Sequence, residues 1–199
     1  MASQSPYKGA SPDKWAAITD KVVASHPLKS DEIVDIVFEA WRSIFTSAIG
    51  THGFKIGKDI FPKPQIMGAL LHELIPLEVA ARYPKKWRGE KAADDKDIVF
   101  IPDDSFSIEL KTSSHRDQIF GNRSYAQEAQ NDKKSKSGYY LTVNFEKFSQ
   151  QGNEPQILLI RFGWLDHTDW IGQRAATGQQ SRLTSDIYAG KFKTLYAKS

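Results

Sequence analysis

Ile33, Val34, Ile36, Val37, Phe38, Trp41, Ile44 and Phe45 recur at the spacing of one helix face. Ser30 with Asp31 and Glu32 starts this helix and Gly50 closes it. An apolar stripe of that length serves a core or a dimer interface rather than a ligand. Upstream, Ser11-Pro12-Asp13 places an N-cap before a proline at the first helical position, which predicts a helix ending near His26-Pro27. A further helical segment runs from Gln65 to Arg82, interrupted or kinked at Pro76.

The period then changes from that of a helix to two. Asp97 to Ile101, the turn Pro102-Asp103-Asp104, and Ser105 to Lys111 read as a β-hairpin. With a three-residue loop, Ile101 faces Ser105, Phe100 faces Phe106, Val99 faces Ser107, Ile98 faces Ile108 and Asp97 faces Glu109. Residues opposite each other project from the same side of the sheet. Ile98, Phe100, Phe106, Ile108 and Leu110 therefore form one face, and Asp97, Val99, Ser107, Glu109 and Lys111 the other. A two-residue loop would turn Asp97 into the apolar face, and burying a lone carboxylate there is costly.

After the hairpin, Ser124 is placed to cap a helix through about Lys136, and 138–148 and 156–164 read as strands rich in Tyr, Val, Ile and Leu. The stretch from Gly172 to Arg182 is polar and lacks apolar periodicity, so it reads as a loop. The fold class is α/β, in the α+β sense, with a central mixed sheet flanked by helices. A chain of 199 residues with 40% hydrophobic and 12% aromatic content is most simply one domain, 1–199.

Two carboxylates placed opposite each other repel unless a cation lies between them, and a hard divalent ion such as Mg²⁺ takes carboxylate and carbonyl oxygens. Asp97 and Glu109 fit that chemistry, with Asp95 as a second choice for the first acid. Lys111 is two residues beyond Glu109 on the same face, where an ammonium can orient a water and stabilise charge on a phosphate. The plain alternative is an edge hairpin with solvated acids and a surface lysine. Asp103, at the turn, is too far along the strand from Glu109 to share an ion with it.

Charge changes the picture through its distribution. The net charge of +3 says little, but the acids from Asp94 to Glu109 form an island between Lys85, Lys86, Arg88 and Lys91 before it and Arg116, Arg123, Lys133, Lys134 and Lys136 after it. Cations around a carboxylate pocket suit a phosphate backbone. Cysteine is absent, which excludes disulfides and thiolate zinc sites and fits a reducing cytoplasm. No apolar run is long enough to span a membrane, the N-terminus has no signal pattern, and no P-loop for a nucleotide cofactor is present. The 5 histidines are scattered without metal-ligand spacing.

Asp97 with Glu109-Leu110-Lys111-Thr112-Ser113 resembles the PD-(D/E)xK nuclease core, with Lys96 in place of the motif's proline. Phe120 to Gln127 and Arg161 to Trp170 extend the likeness to ScaI-like type II restriction endonucleases, over roughly residues 64–182. The resemblance implies a Mg²⁺-dependent endonuclease acting on double-stranded DNA at a short palindromic site, with residues 64–182 as the catalytic and recognition core. It further implies that Asp97, Glu109 and the Leu110 carbonyl hold the metal, that Lys111 assists the water, and that an acid of the preceding helix, Glu73 or else Glu78, joins them. Ser113, Ser114, Asn122, Arg123, Ser124, Gln173, Arg174, Gln179 and Arg182 are the expected DNA-binding residues, since Arg reads guanine and Asn or Gln reads adenine in the major groove. A palindrome implies a homodimer, with the helical region 1–60 as its interface. A repair or junction-resolving nuclease on the same core, and a silent DNA-binding module, are the competing readings.

Overall fold

The computed structural model describes residues 4–126, 135–149, 154–175 and 177–199. In chain order its elements are α1 (Trp15–Ser25), α2 (Ser30–Thr46), α3 (Pro64–Arg82), β1 (Trp87–Gly89), β2 (Ile98–Phe100), β3 (Ile108–Ser113), β4 (Phe120–Asn122), β5 (Gly138–Phe145), β6 (Ile157–Leu165), β7 (Ile171–Gly172), β8 (Gln180–Arg182), α4 (Ser185–Gly190) and β9 (Phe192–Ala197). One mixed sheet has the order β1-β2-β3-β5-β6-β9, and a small sheet has the order β4-β8-β7. Among the described strands only β3 and β5 run parallel. The residues between them include β4 and a 3₁₀ turn at Arg123–Ala126, a connection long enough to return the chain to the same end of the sheet.

Helices cover one face of the large sheet. α1 packs on β6 and β9, and α3 on β1 and β3. The contact of α3 with β3 is close because Gly68 has no side chain: a Cβ there would lie 2.8 Å from Thr112 Oγ1. Ile33, Ile36, Val37, Ala40, Trp41 and Ile44 of α2 are all buried in this core, with Trp41 against Phe45 and Phe145. Of the two uses expected for the stripe, core or dimer interface, these residues serve the chain's own core, where each large apolar side chain removed from water gains on the order of 1.5–3 kcal/mol. α2 ends at Thr46; Gly50 adopts φ 72° in a separate turn bridged by Ile49 and Phe54. α3 runs without interruption through the buried Pro76.

The hairpin keeps its expected register, Ile98 opposite Ile108, but not its expected loop. A 3₁₀ turn at Asp104–Phe106 lengthens it, and the Phe100 amide donates to Ser107 Oγ rather than to a ladder carbonyl. Asp103 caps that turn by accepting from the Ser105 amide, which is what short polar side chains before a helical turn do. His26 locks the turn to the N-terminal helices. Its Nδ1 accepts from the Leu28 amide, so Nε2 carries the proton and donates to the Phe106 carbonyl at 3.1 Å. Fully buried among Trp87, Tyr139 and Phe162, it is pushed down to about 4, chiefly by burial.

The C-terminal third departs most from expectation. Ser124 sits inside the 3₁₀ turn rather than capping a helix, and residues 127–134 of the expected helix lie outside the described residues. The polar stretch after Gly172 is a loop only between β7 and β8, and α4 and β9 follow without a period signal to announce them. The second apolar cluster, with Tyr125, Tyr140, Trp170 and Phe192, lies between the large sheet and the small one. Its base is a buried ion network: Lys191 Nζ reaches Asp169 Oδ1 at 2.7 Å and Asp166 Oδ2 at 3.0 Å. No described helix is long and apolar enough to cross a membrane.

Candidate active site

β3 is central, so its alternation sends Ile108 and Leu110 into the main core and Glu109 to the other face, where it is 2% exposed. Asp97 stands just before β2, and its Oδ2 accepts a 2.5 Å hydrogen bond from the Leu110 amide. The acid is thereby fixed to the peptide that links Glu109 to Leu110. Lys111 Nζ donates to Glu109 Oε1 at 2.8 Å and to the Leu110 carbonyl at 3.0 Å. An ammonium thus bridges a carboxylate oxygen and a carbonyl oxygen, two of the atoms expected to hold a cation. An all-oxygen set of this kind fits a hard divalent ion. Among the described residues no three His, Cys, Asp or Glu side chains converge closely enough to hold a metal by themselves.

Asp95, the second choice for the first acid, is held by other partners. Arg88 holds Asp95 through two contacts, at 2.5 and 3.0 Å, and the amides of Lys91 and Ala92 donate to it as well. The guanidinium, first, and those amides keep its carboxyl well below the usual carboxylate range. Lys96, which replaces the motif's proline, is buried and donates to the Ser135 carbonyl at 3.0 Å. That contact fastens the start of β5 to the hairpin.

α3 contributes the rim. A cavity of about 190 Å³ is lined by His72, Glu73, Pro76, Glu90 and Asp97 among others, whereas Glu78 does not reach it. Glu90 and His72 were not foreseen; β1 is too short to show a period, so nothing local marked the residue after it. A wider groove of about 790 Å³ starts at His72, passes Thr112, Ser113, Ser114 and Arg116, and ends at Phe120 and Gln180. Those last two also line a third depression with Arg174, Ile171 and Arg182. The groove shares His72 with the small cavity and Phe120 and Gln180 with the third depression, so the three lie in series between Asp97 and the small sheet.

The small sheet unites residues that the sequence separates by sixty positions. Phe120 pairs with Arg182 and Asn122 with Gln180, while Ile171 flanks Arg182 on the other side. Strand alternation points all five outward, and all five are exposed. Gly121 and Ser181 point inward and are buried. Arg174 is exposed at the loop, Ser124 is exposed in the 3₁₀ turn, and Ser113 Oγ accepts from the His115 amide. Arg123 instead braces the loop: its amide donates to the Gln179 carbonyl at 2.7 Å, and Nη1 to the carbonyls of Ala175 and Gly178. Gln173 Oε1 accepts from the Gln180 amide.

Tyr125 was the residue most clearly missed. It is buried, and its hydroxyl donates to Glu109 Oε1, while Lys111 and Lys136 lie over its ring at 4.6 and 4.4 Å. Burial first, then the Glu109 charge, raises its hydroxyl well above the ordinary tyrosine range, so it remains a donor. Sixteen residues of sequence hide this contact from any local pattern.

An acid before one strand, lining a cavity and tied through a peptide to Glu-x-Lys on the next, in a mixed sheet flanked by helices, is consistent with a restriction-endonuclease-like core. The chain belongs to one family of such enzymes, for the model described as ScaI restriction endonuclease matches residues 5–196. It is 52% identical over 187 residues to the type II restriction enzyme ScaI of Streptomyces caespitosus, covering 93% of this chain and 82% of that one. No solved structure matches. The protein is a type II restriction endonuclease, a site-specific deoxyribonuclease, and the repair-nuclease and silent-binder readings fall away. Its class uses a divalent metal and acts on double-stranded DNA. The match reaches well beyond 64–182 and takes in the N-terminal helices.

Proposed function

We propose that this enzyme hydrolyses a phosphodiester bond in each strand of a short palindromic DNA site with Mg²⁺ as its cation, as a homodimer inside a prokaryotic cell. Asp97, Glu109 and the Leu110 carbonyl would hold the ion, with Glu73 completing the acidic rim. The ion supplies charge neutralisation at the scissile phosphate and a more acidic bound water. The observation that carries this reading is the position of Lys111 Nζ, held by both Glu109 and the Leu110 carbonyl. Those two oxygens favour positive charge at that point, and the Lys111 ammonium beside them would orient the attacking water and stabilise charge on the phosphate.

Recognition falls to the outward face of the small sheet and the loop beside it. Arg182, Gln180 and Asn122 carry the donors that discriminate base edges, and Arg174 stands next to them. Ser113, Ser114 and Arg116 line the way between reading face and acids, where phosphates would pass. The dimer surface draws on the N-terminal region 1–60 outside the fully buried residues of α2.

Digestion of a DNA of known sequence tests the reading. Discrete fragments with Mg²⁺, none with EDTA, and none from Glu109→Gln are expected; a smear or metal-independent cutting would overturn it. Light scattering should give a mass near twice 22.4 kDa, at least on cognate DNA, and a monomer in both states would remove the homodimer.

A further inference from the structure

The small sheet does more than present side chains to DNA: its inner face rests on the residue that holds the catalytic glutamate. Gly121 points inward with no room for a side chain, since a Cβ there would lie 3.1 Å from Tyr125 Cγ, 3.1 Å from Trp170 Cζ3 and 2.9 Å from Ser181 Oγ. The Tyr125 ring is held from another side by Trp170, with centroids 5.2 Å apart. Its hydroxyl donates to Glu109 Oε1, the oxygen that also takes Lys111 Nζ. The other end of the same four-residue 3₁₀ turn is Arg123, whose amide and guanidinium hold the carbonyls of Gln179, Ala175 and Gly178 in the recognition loop.

A single turn of chain therefore has the reading loop at one end and the glutamate at the other. Packed interiors transmit displacement because they have little free volume to absorb it. A hydrogen bond, by contrast, weakens steeply once distance and angle depart from their narrow range. The sheet and the Tyr125 ring must move together, while the bond from hydroxyl to carboxylate is the link sensitive to that movement.

We propose that Tyr125 is a positioning residue that couples base reading to cleavage, the seating of the small sheet on DNA setting its hydroxyl and the hydroxyl setting Glu109. Cognate DNA, gripped by Arg182, Gln180 and Asn122, keeps the sheet where it stands, with the hydrogen bond formed. A wrong sequence leaves the sheet and the Arg123–Ala126 turn displaced, and Glu109 loses the Tyr125 hydroxyl while keeping the Lys111 ammonium. The inference rests on the reading of Glu109 as a metal ligand and of the small sheet as the base-reading surface.

Tyr125→Phe removes the hydroxyl and keeps the ring. Affinity for cognate DNA without metal should stay within twofold of wild type, since the reading face is unchanged. The single-turnover rate on cognate DNA should fall at least tenfold, and the Ca²⁺ concentration that half-maximally tightens cognate binding should rise at least threefold. The rate on sites altered at one base pair should change much less, so that the cognate preference narrows. Gly121→Ala, which forces a methyl against the same ring without approaching Glu109, should reproduce the rate loss and the narrowing. Wild-type rate and Ca²⁺ midpoint in Tyr125→Phe would overturn the positioning role. Equal losses on cognate and altered sites would overturn the coupling. If wild type cuts while Glu109→Gln does not, these failures strike the inference alone; if wild type does not cut with Mg²⁺, the reading beneath it falls.

Discussion

Lys111 Nζ lies 2.8 Å from Glu109 Oε1, two residues back along the same strand and on the same face. Residues i and i+2 of a strand share a face by geometry alone, but here both are largely buried, with side chains 13% and 2% exposed. A pair withdrawn from water in this way is sensitive to loss of either partner, because the survivor keeps its desolvation cost.

Asp97→Asn, Glu109→Gln and Lys111→Met should each lower the single-turnover cleavage rate by at least about 100-fold, the scale on which a preorganised electrostatic group acts. Circular dichroism should be unchanged. Asp95→Asn, which breaks the Arg88 contact, and Asp103→Ala, which removes the turn cap, should lower the melting temperature yet still cut. A dead Asp103→Ala with an active Asp97→Asn would show the wrong acid has been assigned.

Arg182→Ala should cost about 1–3 kcal/mol of binding on cognate DNA and little on random DNA, as loss of a base-edge contact does. Arg174→Ala is expected to behave similarly. Arg123→Ala should weaken cognate binding by loosening the loop whose carbonyls it holds, while leaving the salt dependence unchanged. Titrations across a range of salt distinguish the cases, and a flattened slope in Arg123→Ala would make it a phosphate contact.

His26 should make folding sensitive to mild acid. Its folded value near 4 lies below the ordinary 6.5, so the unfolded chain binds a proton that the folded one refuses. The contribution is fully present above about pH 6.5 and is lost as pH falls towards 4, amounting to about 3 kcal/mol. Denaturant midpoints of wild type should therefore fall between pH 7 and pH 4.5 more steeply than those of His26→Gln. Parallel curves would refute the assignment.

Lys191→Met leaves Asp169 and Asp166 without their shared cation beneath the small sheet. Burial raises the Asp169 carboxyl, and Lys191 offsets only part of that rise. The cost should be about 3–5 kcal/mol in urea unfolding, with part recovered by adding Asp169→Asn. A loss below 1 kcal/mol would mean that water reaches the pair.

The sequence alone determined what short-range periodicity can determine. Alternation along 97–111 settled the register of Ile98 with Ile108 and gathered Asp97, Glu109 and Lys111, because a one-residue slip would have buried a charge. Helix spacing and proline placement located α1, α2 and α3 to within a few residues. Tertiary structure decided what lies across distance. β1 and β9 are strands because partners with apolar faces were waiting for them, β1 being too short and β9 too exposed to carry a clear pattern of their own. Whether the Ile33–Phe45 stripe met a second copy or its own sheet depended on packing that no local period encodes. The small sheet joins residues 120–122 to 180–182, and Tyr125 meets Glu109 across sixteen positions. Both depend on closing loops whose entropic cost varies only slowly with length, so spacing in the chain left them unmarked until the fold brought the ends together.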